Sequence, residues 1–232
     1  MIELRPRASL GHIRHGWLHS IHHFSFGDHF DPARMGWGGL RVWNDDKIAP
    51  KSGFPPHPHE DMEIITYVRE GAITHQDSLG NIGRTEAGDV QVMSAGTGIR
   101  HSEHNLETEP TRIFQIWIQP AERGGPPRWG AKPFRKGSRA GRLVALASGY
   151  IEDAEALPIR ADARVLGATL KAGGRLDYDA LPGRHLYLVP AKGTVEVNGA
   201  RVETGDGVAI TDEAVLTIRA INDAEVVLVD AA

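Results

Sequence analysis

Apolar positions along the chain fall in short runs rich in Val, Ile, Tyr and Trp. Examples are Leu40-Arg-Val-Trp43, Glu63-Ile-Ile-Thr-Tyr-Val68, Val90-Gln-Val-Met93, Ile113-Phe-Gln-Ile-Trp-Ile118, Leu186-Tyr-Leu-Val189 and Val226-Val-Leu-Val229. Between them stand turn formers: Asp-Ser-Leu-Gly-Asn at 77–81, Val-Asn-Gly-Ala at 197–200 and Thr-Gly-Asp-Gly at 204–207. No long stretch keeps a 3.6-residue apolar period. Short strands closed by Gly, Asn and Asp turns predict an all-β sandwich or barrel.

The pattern also repeats. Tyr67-Val-Arg-Glu-Gly71 leads through a polar turn to Glu86-Ala-Gly-Asp-Val90, and Tyr187-Leu-Val-Pro-Ala-Lys-Gly193 leads through Asn-Gly to Glu203-Thr-Gly-Asp-Gly207. Two copies of one β-barrel unit account for this order. Their joint is expected in 124–141, GGPPRWGAKPFRKGSRAG, with one domain over 1–130 and a second over 131–232. The basic run Arg135–Arg142 within it reads as a solvated linker.

Composition narrows the function classes. The 232 residues are 41% hydrophobic and 24% charged, with a formal charge of −4, a balance typical of a globular domain and without the basic excess of a nucleic-acid binder. With no cysteine, thiolate nucleophiles, zinc fingers, iron–sulfur clusters and disulfides are excluded. The segment MIELRPRASLGHIRHGW has no signal-peptide core, and no window approaches a membrane span, so the expected location is the cytoplasm, with no membrane partner.

Candidate chemistry sits in Gly53-Phe-Pro-Pro-His-Pro-His-Glu-Asp-Met-Glu63 and in Gly96-Thr-Gly-Ile-Arg-His-Ser-Glu-His-Asn105. His57 and His59 are i and i+2, as are His101 and Glu103, so on strands each pair faces one side. If the two strands are neighbours inside a barrel, three imidazoles and a carboxylate converge. Nitrogen and oxygen donors without sulfur suit one divalent ion: iron(II), manganese, nickel, copper, cobalt or zinc. Alone, a His-x-His pair is more often surface decoration, and a His-x-Glu pair says almost nothing; their conjunction beside Gly and Pro turns carries the assignment. The other histidines weigh the other way. His12, His15, His19, His22, His23 and His29 show no carboxylate-backed pair and read as surface or packing residues, with His22 at the pocket rim. His75 and His104 are expected not to be ligands. The tryptophans read as packing, one of them as a wall for a flat ligand.

These motifs resemble the pirin family, two-domain members of the cupin superfamily, and in particular its short bacterial members with flavonol-cleaving activity. The resemblance rests on residues 53–68, on His75-Gln-Asp-Ser-Leu-Gly80 and on Gly88–Glu103, with Gly16-Trp-Leu, Phe24-Ser-Phe26, Asp31-Pro32 and Leu40–Asp46 in support. It covers residues 1–120 strongly and the rest loosely. It implies an all-β bicupin whose N-terminal barrel binds metal. The ligands would be His57, His59, His101 and Glu103, and the ion iron(II). Glu63, a ligand in many single-domain cupins, is not one in pirins and is expected to orient a neighbour. The implied reaction is quercetin-type 2,3-dioxygenation with dioxygen, Glu103 serving as general base toward the flavonol hydroxyl. The resemblance also allows another reading: an iron-binding transcriptional co-regulator acting through a protein partner. In the second barrel Asp177 and Asp179 stand where the histidine pair would be, and Ile218 where His101 would be, so that barrel is expected to hold no catalytic metal.

Overall fold

The computed structural model describes all 232 residues. It consists of 22 strands and two short 3₁₀ turns, and no helix is long and apolar enough to cross a membrane. Strands dominate because the β-branched and aromatic runs are cut every few residues by turn formers, and neither tolerates a helix.

Two seven-stranded sheets and two four-stranded sheets form two like halves. In the first half the large sheet runs Arg128–Lys132, Val90–Ser94, Glu63–Glu70, Thr111–Ile118, Leu40–Ile48, Leu18–His22 and Gly11–His15. Its small sheet runs Ser52–His59, Ile99–Asn105, Ala72–Asp77 and Ile82–Glu86. The second half repeats the order, with Ile2–Arg5, Gly207–Ile210, His185–Lys192, Ala224–Ala231, Ala163–Leu170, Val144–Ser148 and Leu157–Pro158 in its large sheet. Arg175–Asp179, Val215–Ala220, Val195–Val197 and Ala200–Val202 make its small sheet. The duplicated bicupin is thus present: the five inner strands of each large sheet and all four strands of each small sheet correspond in order, while the outer strands differ, Leu157–Pro158 pairing parallel where Gly11–His15 pairs antiparallel.

The halves are tied at their edges. Ile2–Arg5 pairs with Gly207–Ile210, so the chain's first strand belongs to the second half's sheet. Arg128–Lys132 closes the first half by pairing with Val90–Ser94. The expected boundary at residue 130 therefore falls inside a strand, and residues 2–5 pair outside the half to which that boundary assigns them. The linker expectation also needs correcting. Arg139 is fully buried. Its Nη2 donates to the Tyr67 hydroxyl at 2.8 Å and to Glu225 Oε1 at 3.2 Å, and the guanidinium lies over the Tyr67 ring. These partners come from both halves and offset part of the cost of burying the charge; Nε and Nη1 have no partner, and burial lowers the guanidinium to about 10.

Where the two large sheets face each other, 24 buried residues make the largest apolar cluster, among them Trp43, Tyr67, Phe114, Tyr187 and Val227. Sheets covered on both faces explain why Glu63–Val68 and Ala224–Ala231 read as nearly unbroken apolar runs. The two barrel interiors differ. The second is filled by one cluster of 17 buried residues. The first holds only two clusters of four, Ile48, Val68, Ile73 and Ile113 in one, Ile64, Met93, Ala95 and Ile99 in the other. The remaining space is polar and open to a pocket.

Candidate metal centre

The strand Ser52–His59 pairs with one neighbour only, Ile99–Asn105. An edge position accommodates Pro55, Pro56 and Pro58, which lack the N–H a central strand would need. His57 lies directly opposite His101, and Glu103 opposite Phe54. Three residues thus separate the partners on the proline strand and two on the other, a bulge at Pro55–Pro56 that bends this edge over the barrel mouth.

The ligand atoms of His57, His59 and His101 all lie within 4.8 Å of one another. Ring centroids are 4.7 Å apart for His57–His59, 4.5 Å for His57–His101 and 5.0 Å for His59–His101. Nε2 of His59 and Nε2 of His101 are buried without a hydrogen-bond partner in the protein. His57 Nδ1 is 2.7 Å from the Pro55 carbonyl oxygen; it must donate there, which leaves Nε2 with a free lone pair. Burial, with the neighbouring His57, pushes His59 down to about 4, and burial with the surrounding histidines depresses His101 further. Neutral imidazoles with converging, unpartnered nitrogens fit a metal ion's demands.

His101 is held from behind. Its Nδ1 is 3.4 Å from His75 Nδ1, and His75 Nε2 is 2.9 Å from Asp77 Oδ2. Trp129 stacks on His75 at 4.8 Å and 9°. That close approach needs Gly83, where a Cβ would meet Trp129 at 2.1 Å. His75 is therefore a support and not one of the converging three. His104 is half-buried on the other side of its strand.

Glu103 lines the same pocket but stands outside the converging three. Thr66 Oγ1 donates to its Oε1 at 3.0 Å and Gln91 Nε2 at 2.6 Å, while Gln115 Nε2 donates to Oε2. Burial raises its pKa to about 7 against the opposing effect of these three donors. The sequence reading did not find Thr66, Gln91 or Gln115. The signal was there: each is a polar residue at an inward position of an otherwise apolar strand, a burial that costs free energy unless hydrogen-bonded. Glu63 accepts from Ser94 Oγ at 2.6 Å and lies outside the pocket.

The pocket encloses about 320 Å³, within the range of small-molecule sites. Its apolar wall is Leu18, Phe26, Phe54, Ile64 and Trp117, and Trp117 meets His59 edge-on at 4.9 Å. Among the N-terminal histidines, His22 lines the pocket wall. His23 is fully buried between the halves, its Nδ1 2.9 Å from the Tyr187 hydroxyl. In the second barrel Asp177 is exposed and accepts from Thr217 Oγ1 at 2.6 Å and from Arg175; Asp179 is exposed as well. Ile218 sits in the apolar filling.

Fold and site together define a bicupin whose first barrel carries a triple-imidazole centre and whose second is packed solid. Residues 3–118 match the Pirin family model and residues 145–231 the model for the quercetinase C-terminal cupin domain. The chain belongs to the pirin family. It is 67% identical to a pirin-like protein of Caulobacter vibrioides, over all of both chains. It is 42% identical to the quercetin 2,3-dioxygenase of Escherichia coli K12, covering 99% of this chain and 98% of that one. Among solved structures, the bacterial pirin YhhW of Escherichia coli in complex with nickel(II) superposes with a TM-score of 0.94 at 42% identity, covering 100% of this chain and 99% of the other.

Proposed function

We propose that this protein is a dioxygenase that cleaves flavonols such as quercetin, with one divalent ion, iron(II) by assignment, at His57, His59, His101 and Glu103. The observation that carries the reading is the set of three converging imidazoles, with Nε2 lone pairs free, at the wall of an aromatic-lined pocket. The names of relatives at 42% identity and above support the choice of substrate. The ion, when bound, supplies Lewis acidity toward the 3-hydroxyl and 4-carbonyl of a flavonol and a site for electron transfer to dioxygen. The chain supplies the rest.

Glu103 is the anionic fourth ligand, and its ligation exchanges one of its present hydrogen bonds for the ion. A carboxylate offers about four lone-pair positions, and three donors are in place here, so one position stays free for a proton. A buried carboxylate with a free lone pair facing the pocket suits a general base that takes the flavonol 3-hydroxyl proton. Phe54, Trp117 and Phe26 hold a planar ring system by its faces and edges and exclude water. Dioxygen then opens the heterocycle, leaving a depside and carbon monoxide.

The test is anaerobic loading with iron(II), proof of full occupancy by metal analysis, and addition of quercetin and air. Loss of flavonol absorbance with one dioxygen consumed and one carbon monoxide released per flavonol is expected. Fully loaded protein with no turnover would sink the proposal and favour a co-regulator role. Metal must be controlled throughout, because imidazole-rich sites prefer copper and nickel to iron.

A further inference from the structure

The floor of the first barrel carries a continuous row of polar side chains. Cross-strand register places His22 opposite Asn44, Asn44 opposite Gln115, Gln115 opposite Thr66, and Thr66 opposite Gln91. One end of this row is satisfied: Gln115, Thr66 and Gln91 all donate to Glu103. The other end is not. His22 Nδ1 and Asn44 Oδ1 are buried with no partner in the protein, and so are Ser20 Oγ and Asp46 Oδ1, which stand opposite each other two residues along the same strands. These four residues are only 1% to 5% exposed, and all line the pocket of the histidine trio.

Four such atoms gathered on one patch of the pocket wall, from side chains at most 5% exposed, mark a place where a polar ligand can supply the missing hydrogen bonds. The alternating residues Ile21, Trp43 and Asp45 face the other way, the first two packing against apolar neighbours and Asp45 paired with Arg69. On that opposite face Trp43 Nε1 and Arg69 Nε are also without a partner, but they are packed in the core, whereas the four unpartnered atoms of Ser20, His22, Asn44 and Asp46 belong to side chains that line the pocket. His22 lies two strands from Gln115, about 9.6 Å by strand spacing. Between His22 and the trio runs a ladder of edge-on rings: His22–Phe26 at 5.3 Å, Phe26–Trp117 at 5.1 Å and Trp117–His59 at 4.9 Å. A ligand that touches both ends must therefore be extended and flat, and polar at its far end.

We propose that Ser20, His22, Asn44 and Asp46 form a recognition subsite for hydroxyl groups on the part of the substrate remote from the metal, so that polyhydroxylated flavonols are selected over bare ones. This rests on the flavonol reading above. Burial keeps His22 neutral, pushed down to about 4, and raises Asp46 to about 7 against a lowering by the facing Ser20 hydroxyl, with Asp45 and Glu103 adding to the rise. A patch so weakly charged at neutral pH suits neutral hydroxyls, which both donate and accept, better than an ion.

The experiment compares two probes on the metal-loaded native protein without air. Quercetin and 3-hydroxyflavone share the hydroxyl and carbonyl that face the metal, but only quercetin carries further ring hydroxyls. Quenching of tryptophan fluorescence reports binding of each. Quercetin should bind at least about tenfold more tightly, since a site with buried polar groups penalises a ligand that leaves them unpaired. Asn44→Leu, and separately Ser20→Ala, should narrow that gap. Equal affinities in the native protein, or a gap that neither substitution narrows, would overturn the subsite. A native protein that distinguishes the two ligands yet turns over neither in air keeps the subsite and sinks the dioxygenase reading instead, so the two failures are separable.

Discussion

His75 Nε2 lies 2.9 Å from Asp77 Oδ2, and its other ring nitrogen faces His101. Asp77 also accepts from the Leu79 and Asn81 backbone amides and from the Asn81 side chain, which hold it as an anion although burial alone would raise it. An anionic acceptor fixes the proton of His75 on Nε2, so Nδ1 accepts from His101 Nδ1–H and the lone pair of His101 is left on Nε2, facing the trio. Asp77→Asn and His75→Ala should each weaken metal binding about 10–100-fold, the usual effect of removing a support behind a ligand. Chelator competition measures this. Unchanged affinity in both variants would show the chain of contacts to be idle.

His101→Ala should strip the metal while the fold persists. The apolar clusters that hold the barrels together do not include the three histidines or Glu103, so their burial is independent of an ion. Metal analysis beside far-ultraviolet circular dichroism checks both halves of the statement. Full occupancy in the variant would remove His101 from the ligand set.

Glu103→Gln keeps shape and one oxygen but cannot take the flavonol proton. If the variant remains metallated, turnover should fall by roughly 10²–10⁴, the usual contribution of a positioned base. An unchanged rate at full occupancy would end the base role.

His23, fully buried beside Tyr187, is pushed down to about 3 by burial, with the charges of the arginines Arg7, Arg5 and Arg34 adding to the shift and Asp45 opposing it. Between about pH 3 and the ordinary histidine value near 6.5, the unfolded chain therefore binds a proton that the folded chain does not. Stability should fall as pH falls through that window, by up to about 1.4 kcal/mol per pH unit from this residue. Denaturant unfolding from pH 7 to pH 5 measures it, and the slope should be shallower in His23→Gln. Identical slopes would show that His23 is not excluded from protonation.

Arg139→Met removes the buried clasp between the halves and leaves Glu225 with Lys136 as its remaining cationic partner. Breaking a buried pair from one side costs about 3–5 kcal/mol; here the surviving, half-exposed Lys136 reduces the loss, and about 2 kcal/mol is expected. A lower urea midpoint with an unchanged slope should follow, whereas a solvated linker residue would leave the midpoint where it was.

The chain's local order determined a good part of this protein. Short Val-, Ile- and aromatic-rich runs between Gly, Asn and Asp turns dictated strands, and the recurrence of one turn–strand order dictated two like halves. The spacing of His57 with His59 sufficed to aim both rings to one face, since alternation is a property of any strand. What needed the tertiary structure was every relationship that depends on which strand lies beside which. The register joining His22, Asn44, Gln115, Thr66 and Gln91 draws on five strands, with directly paired positions up to about seventy residues apart in sequence. No local pattern encodes such a row, because a one-residue slip in any pairing would turn that strand's polar residue to the opposite face. The same holds for the first strand's place in the second sheet and for Arg139. Its charge reads as a solvent-facing residue until Tyr67 and Glu225 are brought around it. Local chemistry chose the candidate ligands; long-range pairing chose their partners, because hydrogen-bond partners in a β-barrel are assigned by register and not by distance along the chain.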